Sequence, residues 1–460
     1  MSESVYMQRF AAGNALTRTT TQRFVIMKTL FLSATAVLLS CGLQAQAQSP
    51  AIEPTPTPVK LVITNTMPPI KPAAPRPTPT PIIVGQSEAP HGPSAAASPA
   101  PIVVGASSAA TVNAGVRAAL PSMSFGTIKS KIAEAKREMQ SRPIATASAE
   151  STTVAPDFVR VAFLDSKTHR IDYAVMTKDA FLSTTQDKTT VSQNGKSLII
   201  RTIRGNGVNT PLSITDSYGV AHTPLIVQYP VVRGGQYVET AYYVSTHNGV
   251  VTPEVVNAGR LYVRNVIEIA RDRLKEKGIA IQPKVADIAE RLATVEHVDH
   301  MRFKNEYHPN IYNDIFTLYA LNEGQTYRYS VSSAGAGGMV QMIPATYRMM
   351  RSRYPGVGLM PDFVEGMRNH VNATQAMLLY MQMTWNDLAA SPTVSYAMAS
   401  KFATQEQLMA AGYNSNPAKL PGYINRGGEN WTNLIPNETK MYLQIYSSLE
   451  RFVPMAERAR

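Results

Sequence analysis

The chain has 460 residues, with 44 Lys or Arg against 32 Asp or Glu, a net charge of +12. Its one cysteine, Cys41, excludes an internal disulfide, so stability has to come from packing. The charge suits a polyanionic surface, but basic residues are interleaved with acids, as in Lys275-Glu276-Lys277, and form no clustered basic stripe; a nucleic-acid partner is not expected.

Residues 1–26 contain no apolar core. Met27-Lys28-Thr29 then opens a short apolar run, Leu30 to Leu39, too short to span a bilayer and of the length of a secretory signal core, so Met27 is the expected start. Two processing readings stay open. Ala45-Gln46-Ala47 before Gln48 reads as an ordinary signal-peptidase site, whereas Leu38-Leu39-Ser40-Cys41-Gly42 resembles a lipobox that would anchor Cys41 in the outer membrane through lipid. Either way, 1–47 is an extension with a signal peptide, and the mature chain is expected in the periplasm. Residues 48–114 are rich in Pro, Ala and Thr and repeat Pro-Ile-Ile-Val-Gly as Pro-Ile-Val-Val-Gly. That composition predicts a disordered, extended linker reaching about 3.1 Å per residue.

Between 115 and 155 the spacing of Ile128, Ile132, Ala135 and Met139 predicts one amphipathic helix, closed by Arg142-Pro143. From 156 to 250 the pattern changes to strands: VRVAFLD, RIDYAV, SLIIRTI, LIVQYPVV and YVETAYYVS, separated by turn signals such as Gln193-Asn194-Gly195 and Gly234-Gly235. This predicts a separate β-rich module, with contact to an envelope or secretion-machine protein as its expected role. The region 252–460 is helical, with early helices over 252–277 and 284–294 and a core domain at 283–460. His297-Val298-Asp299-His300 lacks further ligands at a recognisable spacing and reads as a solvated helix end. No metal and no cofactor is expected.

The most informative stretch runs from Glu323 to Thr346. A carboxylate ends an apolar helical run (Ile315, Phe316, Leu318, Tyr319, Ala320, Leu321) and is followed by the turn Gly335-Ala336-Gly337-Gly338. Glu323, Ser332, Gly335, Ala336, Gly338, Gln341, Pro344 and Thr346 stand, without a gap, at the positions of the soluble lytic transglycosylase motif, which the segment resembles. Gly412-Tyr413-Asn414-Ser415-Asn416 stands where that family has Ala-Tyr-Asn-Ala-Gly, and Pro436, Glu438, Thr439 and Tyr442 match its Pro-x-Glu-Thr-x-x-Tyr run. The likeness spans about 311–446. Gly324, Met339-Val340 and Gly412 depart from the usual residues.

The resemblance implies an α+β chain whose mainly α, lysozyme-like catalytic domain cleaves peptidoglycan glycan strands. The bond between N-acetylmuramic acid and N-acetylglucosamine would be broken without water, leaving 1,6-anhydro ends. Glu323 would be acid and then base, in a cleft that raises its pKa by desolvation. Ser332 and Tyr413 would hold the acid by hydrogen bonds, and Gln341 and Asn414 would bind saccharide. From Gly324 to Pro361 there is no Asp or Glu, which fits a mechanism with one carboxylate. Two other readings stay open: a binding or assembly protein that grips glycan without cleaving it, and a hydrolytic muramidase.

Overall fold

The computed structural model describes residues 120, 123–142, 144, 156–327, 332 and 334–459. The signal segment, Cys41 and the Pro-rich linker lie outside the described residues.

Helix α1 (Phe125–Ser141) is capped by Ser124, whose hydroxyl accepts from the Thr127 N–H. Its apolar stripe is the expected one: Ile128, Ile132, Ala135 and Met139 are buried. Seven antiparallel strands follow: β1 (Phe158–Leu164), β2 (Ile171–Thr177), β3 (Lys188–Val191), β4 (Ser197–Thr202), β5 (Leu212–Asp216), β6 (Ala221–Arg233) and β7 (Gln236–Tyr243). The short helix α2 (Lys178–Leu182) lies between β2 and β3. The strand order is β2-β1-β6-β5-β4-β3, with β7 also on β6. Beyond β3 the two ends of this path meet, since the Gln193 N–H donates to the Tyr173 carbonyl at 2.8 Å, and the sheet is nearly a closed barrel.

Strand β1 explains why its sequence is apolar at nearly every position. Val159, Val161 and Phe163 fill the barrel with Phe181, Leu198, Ile200, Leu212 and Ile214. Ala162 and Leu164 point the other way, into a layer shared with α1. A strand buried on both faces loses the alternation of a half-exposed one. Buried Arg160 ties the layers, donating to Gln228 Oε1 and to the carbonyls of Met139 and Arg142 at the end of α1.

The helical region contains α3 (Pro253–Glu276), α4 (Pro283–Val295), α5 (His300–Asn305), α6 (His308–Leu321), α7 (Pro344–Arg353), α8 (Phe363–Arg368), α9 (His370–Ala389), α10 (Pro392–Ala399), α11 (Gln405–Asn414), α12 (Leu420–Gly427) and α13 (Asn437–Phe452). Their apolar faces form one large core, from Val263 to Val453. Helices α3 and α6 touch backbone to side: a Cβ on Gly259 would sit 1.8 Å from the Phe316 carbonyl oxygen. The chain is thus mixed α and β, as expected.

The β region is not a separate module. Its α1-side core contains Val255 of α3 and Ala320 of α6 together with Leu225, Ile226 and Val244. Buried Asn322 locks the joint. Its Oδ1 accepts from the Val244 N–H at 2.9 Å, and its Nδ2 donates to the Val244 carbonyl at 2.7 Å. A side chain that satisfies both backbone groups of a strand end acts as one more rung of the sheet. The sequence shows no trace of this, because Asn322 reads locally as a helix-ending residue.

Candidate active site

Glu323 follows Asn322 directly, in the turn after buried helix α6. Among the described residues, no water-poor cleft encloses it. Its side chain is 50% exposed, and Lys129 of α1 donates to its Oε1 at 2.9 Å. Behind it the Gly324 N–H donates to the Tyr262 hydroxyl at 2.7 Å. That hydroxyl lies 2.7 Å from His370 Nδ1, and His370 Nε2 lies 2.8 Å from the Thr326 carbonyl. A carbonyl only accepts, so Nε2 carries the proton and Tyr262 donates to Nδ1. Burial lowers the His370 pKa to about 4 and raises that of Tyr262 to about 12. The relay fixes the turn that carries Glu323.

The glycine segment forms the tight turn expected of it. Gly335 and Gly338 have φ of +77° and +70°, and a Cβ on Gly338 would meet the Met367 carbonyl oxygen at 2.5 Å. Gly337 instead bridges to Met342. Pro344 opens α7, where the missing N–H costs no helical bond. Ser332 and Tyr413 do not hold Glu323. The Ser332 hydroxyl accepts from the Ala336 N–H at 3.0 Å and closes the turn, while the Tyr413 hydroxyl donates to the Val340 carbonyl at 2.6 Å. Gln341 has φ of +47°, and its Nε2 donates to the Gly338 carbonyl at 2.9 Å. Asn414 Oδ1 accepts from the Thr439 hydroxyl at 2.8 Å, joining α11 to α13. The motif side chains therefore serve first to assemble this part of the fold.

They assemble it around a carboxyl that sequence reading passed over. Glu296 follows α4, a helix with ten buried residues, including Ala286, Ile288, Leu292 and Val295. The Tyr442 hydroxyl donates to its Oε1 at 2.5 Å. Burial pushes the Glu296 pKa up to about 8; the Tyr442 bond opposes the shift and nearby Glu438 adds to it. Tyr413 and Tyr319 also lie within its electrostatic reach, and burial raises both hydroxyls well above the usual tyrosine range. The neighbouring His297 is no solvated helix end. Its ring stacks on Tyr327 with centroids 3.4 Å apart, its Nε2 donates to the Met339 carbonyl at 2.9 Å, and burial lowers its pKa to about 3. Asp299 caps α5. Glu296 was legible by the rule that singled out Glu323, a carboxylate closing an apolar helix; what hid it was the lack of a motif around it in sequence.

No protein-family model, no curated protein and no solved structure matches this chain.

Proposed function

We propose that the protein cleaves peptidoglycan glycan strands in the manner of a lytic transglycosylase. One observation supports the reading above the others. Three segments that resemble that family's motifs, far apart in the chain, pack against one another: Tyr413 on the Val340 carbonyl, Asn414 on Thr439, and Tyr442 on a half-buried carboxyl. A carboxyl that is protonated at rest and ionised after donating can serve both halves of a reaction that closes an anhydro ring. The proposal includes a lysozyme-like helical domain, export to the periplasm with or without a lipid on Cys41, and an envelope or secretion-machine partner for the β region.

A second reading, a protein that grips glycan without cutting it, is favoured by the ammonium of Lys129 seated on Glu323. Digestion of purified sacculi followed by mass analysis of the muropeptides separates the cases. Anhydro ends, one water lighter than reducing ends, support the transglycosylase; reducing ends indicate a hydrolytic muramidase; binding to sacculi without released product indicates the gripping protein.

A further inference from the structure

We propose that Glu296, and not Glu323, is the carboxyl that delivers the proton to the glycosidic oxygen. The inference rests on the glycan-cleaving reading and changes its central residue. Its first ground is convergence. Loop residues Met339 and Val340 are held through their carbonyls by His297 and Tyr413, so Glu296, the glycine turn and α11 form one block. Tyr442 fixes the carboxyl from α13. The second ground is the environment. Among the described residues, the groups facing Glu296 are Tyr442 and Glu438 on α13, Tyr413 on α11, Tyr319 on α6 and the adjoining His297, and none of these is a cation. Desolvation, the largest influence on it, keeps such a carboxyl in its acid form near neutral pH. The third ground is the contrast with Glu323, whose Oε1 holds the Lys129 ammonium where a sugar oxygen would have to sit.

The step balances within the substrate. The Glu296 proton passes to the bridging oxygen as the muramyl C1–O bond breaks and the N-acetylglucosamine strand leaves with a new hydroxyl. The carboxylate then takes the proton from the C6 hydroxyl as O6 bonds to C1. No water enters, and Glu296 ends protonated.

The test compares full-length wild type, Glu296→Gln and Glu323→Gln on sacculi, with thermal melting of each. The expected result is a loss of about 10²–10⁴-fold for Glu296→Gln and a rate within a few-fold of wild type for Glu323→Gln. The reverse order would return the role to Glu323. Because Glu296→Gln also touches a partly buried bond, Tyr442→Phe supplies an independent readout. It removes a hydrogen bond that favours the ionised carboxyl, so the alkaline limb of the pH–rate profile should move to higher pH. A limb that stays in place in Tyr442→Phe assigns Glu296 a structural role only and overturns the inference. Wild type that releases no muropeptide at all would instead defeat the cleavage reading, and this inference with it.

Discussion

At the scale of single residues, position along the chain and position in space give different weights to two glutamates. Glu323 sits in the densest motif, yet it is half-exposed and ion-paired; Glu296 has no motif, yet the motif tyrosines face it. Motif spacing records which residues a loop needs, and a loop with two positive-φ glycines and a clamped carbonyl pair needs many for its own shape. The residue that joins the β region to the end of α6 is Asn322. Its amide pairs both backbone groups of Val244 and also donates to the Leu318 carbonyl at 3.2 Å. Asn322→Ala strands a buried N–H and a buried C=O, at about 1–3 kcal/mol for each group left unsatisfied. Denaturant unfolding should show that loss. A change below about 0.5 kcal/mol would mean that the strand end is not held here.

At the scale of elements, helices were readable and joints were not. The stripe of α1 and the cores of α3 and α4 follow from periodicity, because a helix with one buried face repeats that face every three or four residues. Strand β3, Lys188–Val191, has only half-buried and exposed positions, and β5 is only five residues long; both escaped reading because neither carries enough apolar signal. The packing of α3 on α6 through Gly259 was equally silent, since a helical glycine looks like a defect until its neighbour is known. Gly259→Ala should therefore cost about 3 kcal/mol, the upper part of the usual overpacking range, because the obstacle is the Phe316 backbone, which cannot rotate away. A melting temperature unchanged by this substitution would contradict the helix–helix contact. Lys129→Ala, which joins elements only through an exposed ion pair, should shift stability by less than about 1 kcal/mol. A larger loss would show that α1 is held by that pair and not by Ile128, Ile132 and Met139.

At the scale of the whole molecule, buried titratable groups couple the fold to pH. His222, His247 and His370 are buried and His297 is half-buried; desolvation lowers all four pKa values from 6.5, to about 3, 3 and 4 for His247, His297 and His370. Each contributes stability that is present above pH 6.5 and lost as pH falls toward the folded-state value, because only the unfolded chain binds the proton. Glu296 has the opposite sign. Its pKa is raised from 4.5 to about 8, so its contribution is full below pH 4.5 and is lost as pH rises through about 8. Between pH 4.5 and 6.5 the four histidines together outweigh Glu296, and stability rises with pH; above 6.5 the histidine contributions no longer change, and the titration of Glu296 makes stability fall. Melting temperature against pH should peak near 6.5. In Glu296→Gln the decline between 6.5 and 8 should flatten while the acid limb stays where it was. An alkaline decline that survives this substitution would show that Glu296 is not the acid that couples the fold to alkaline pH.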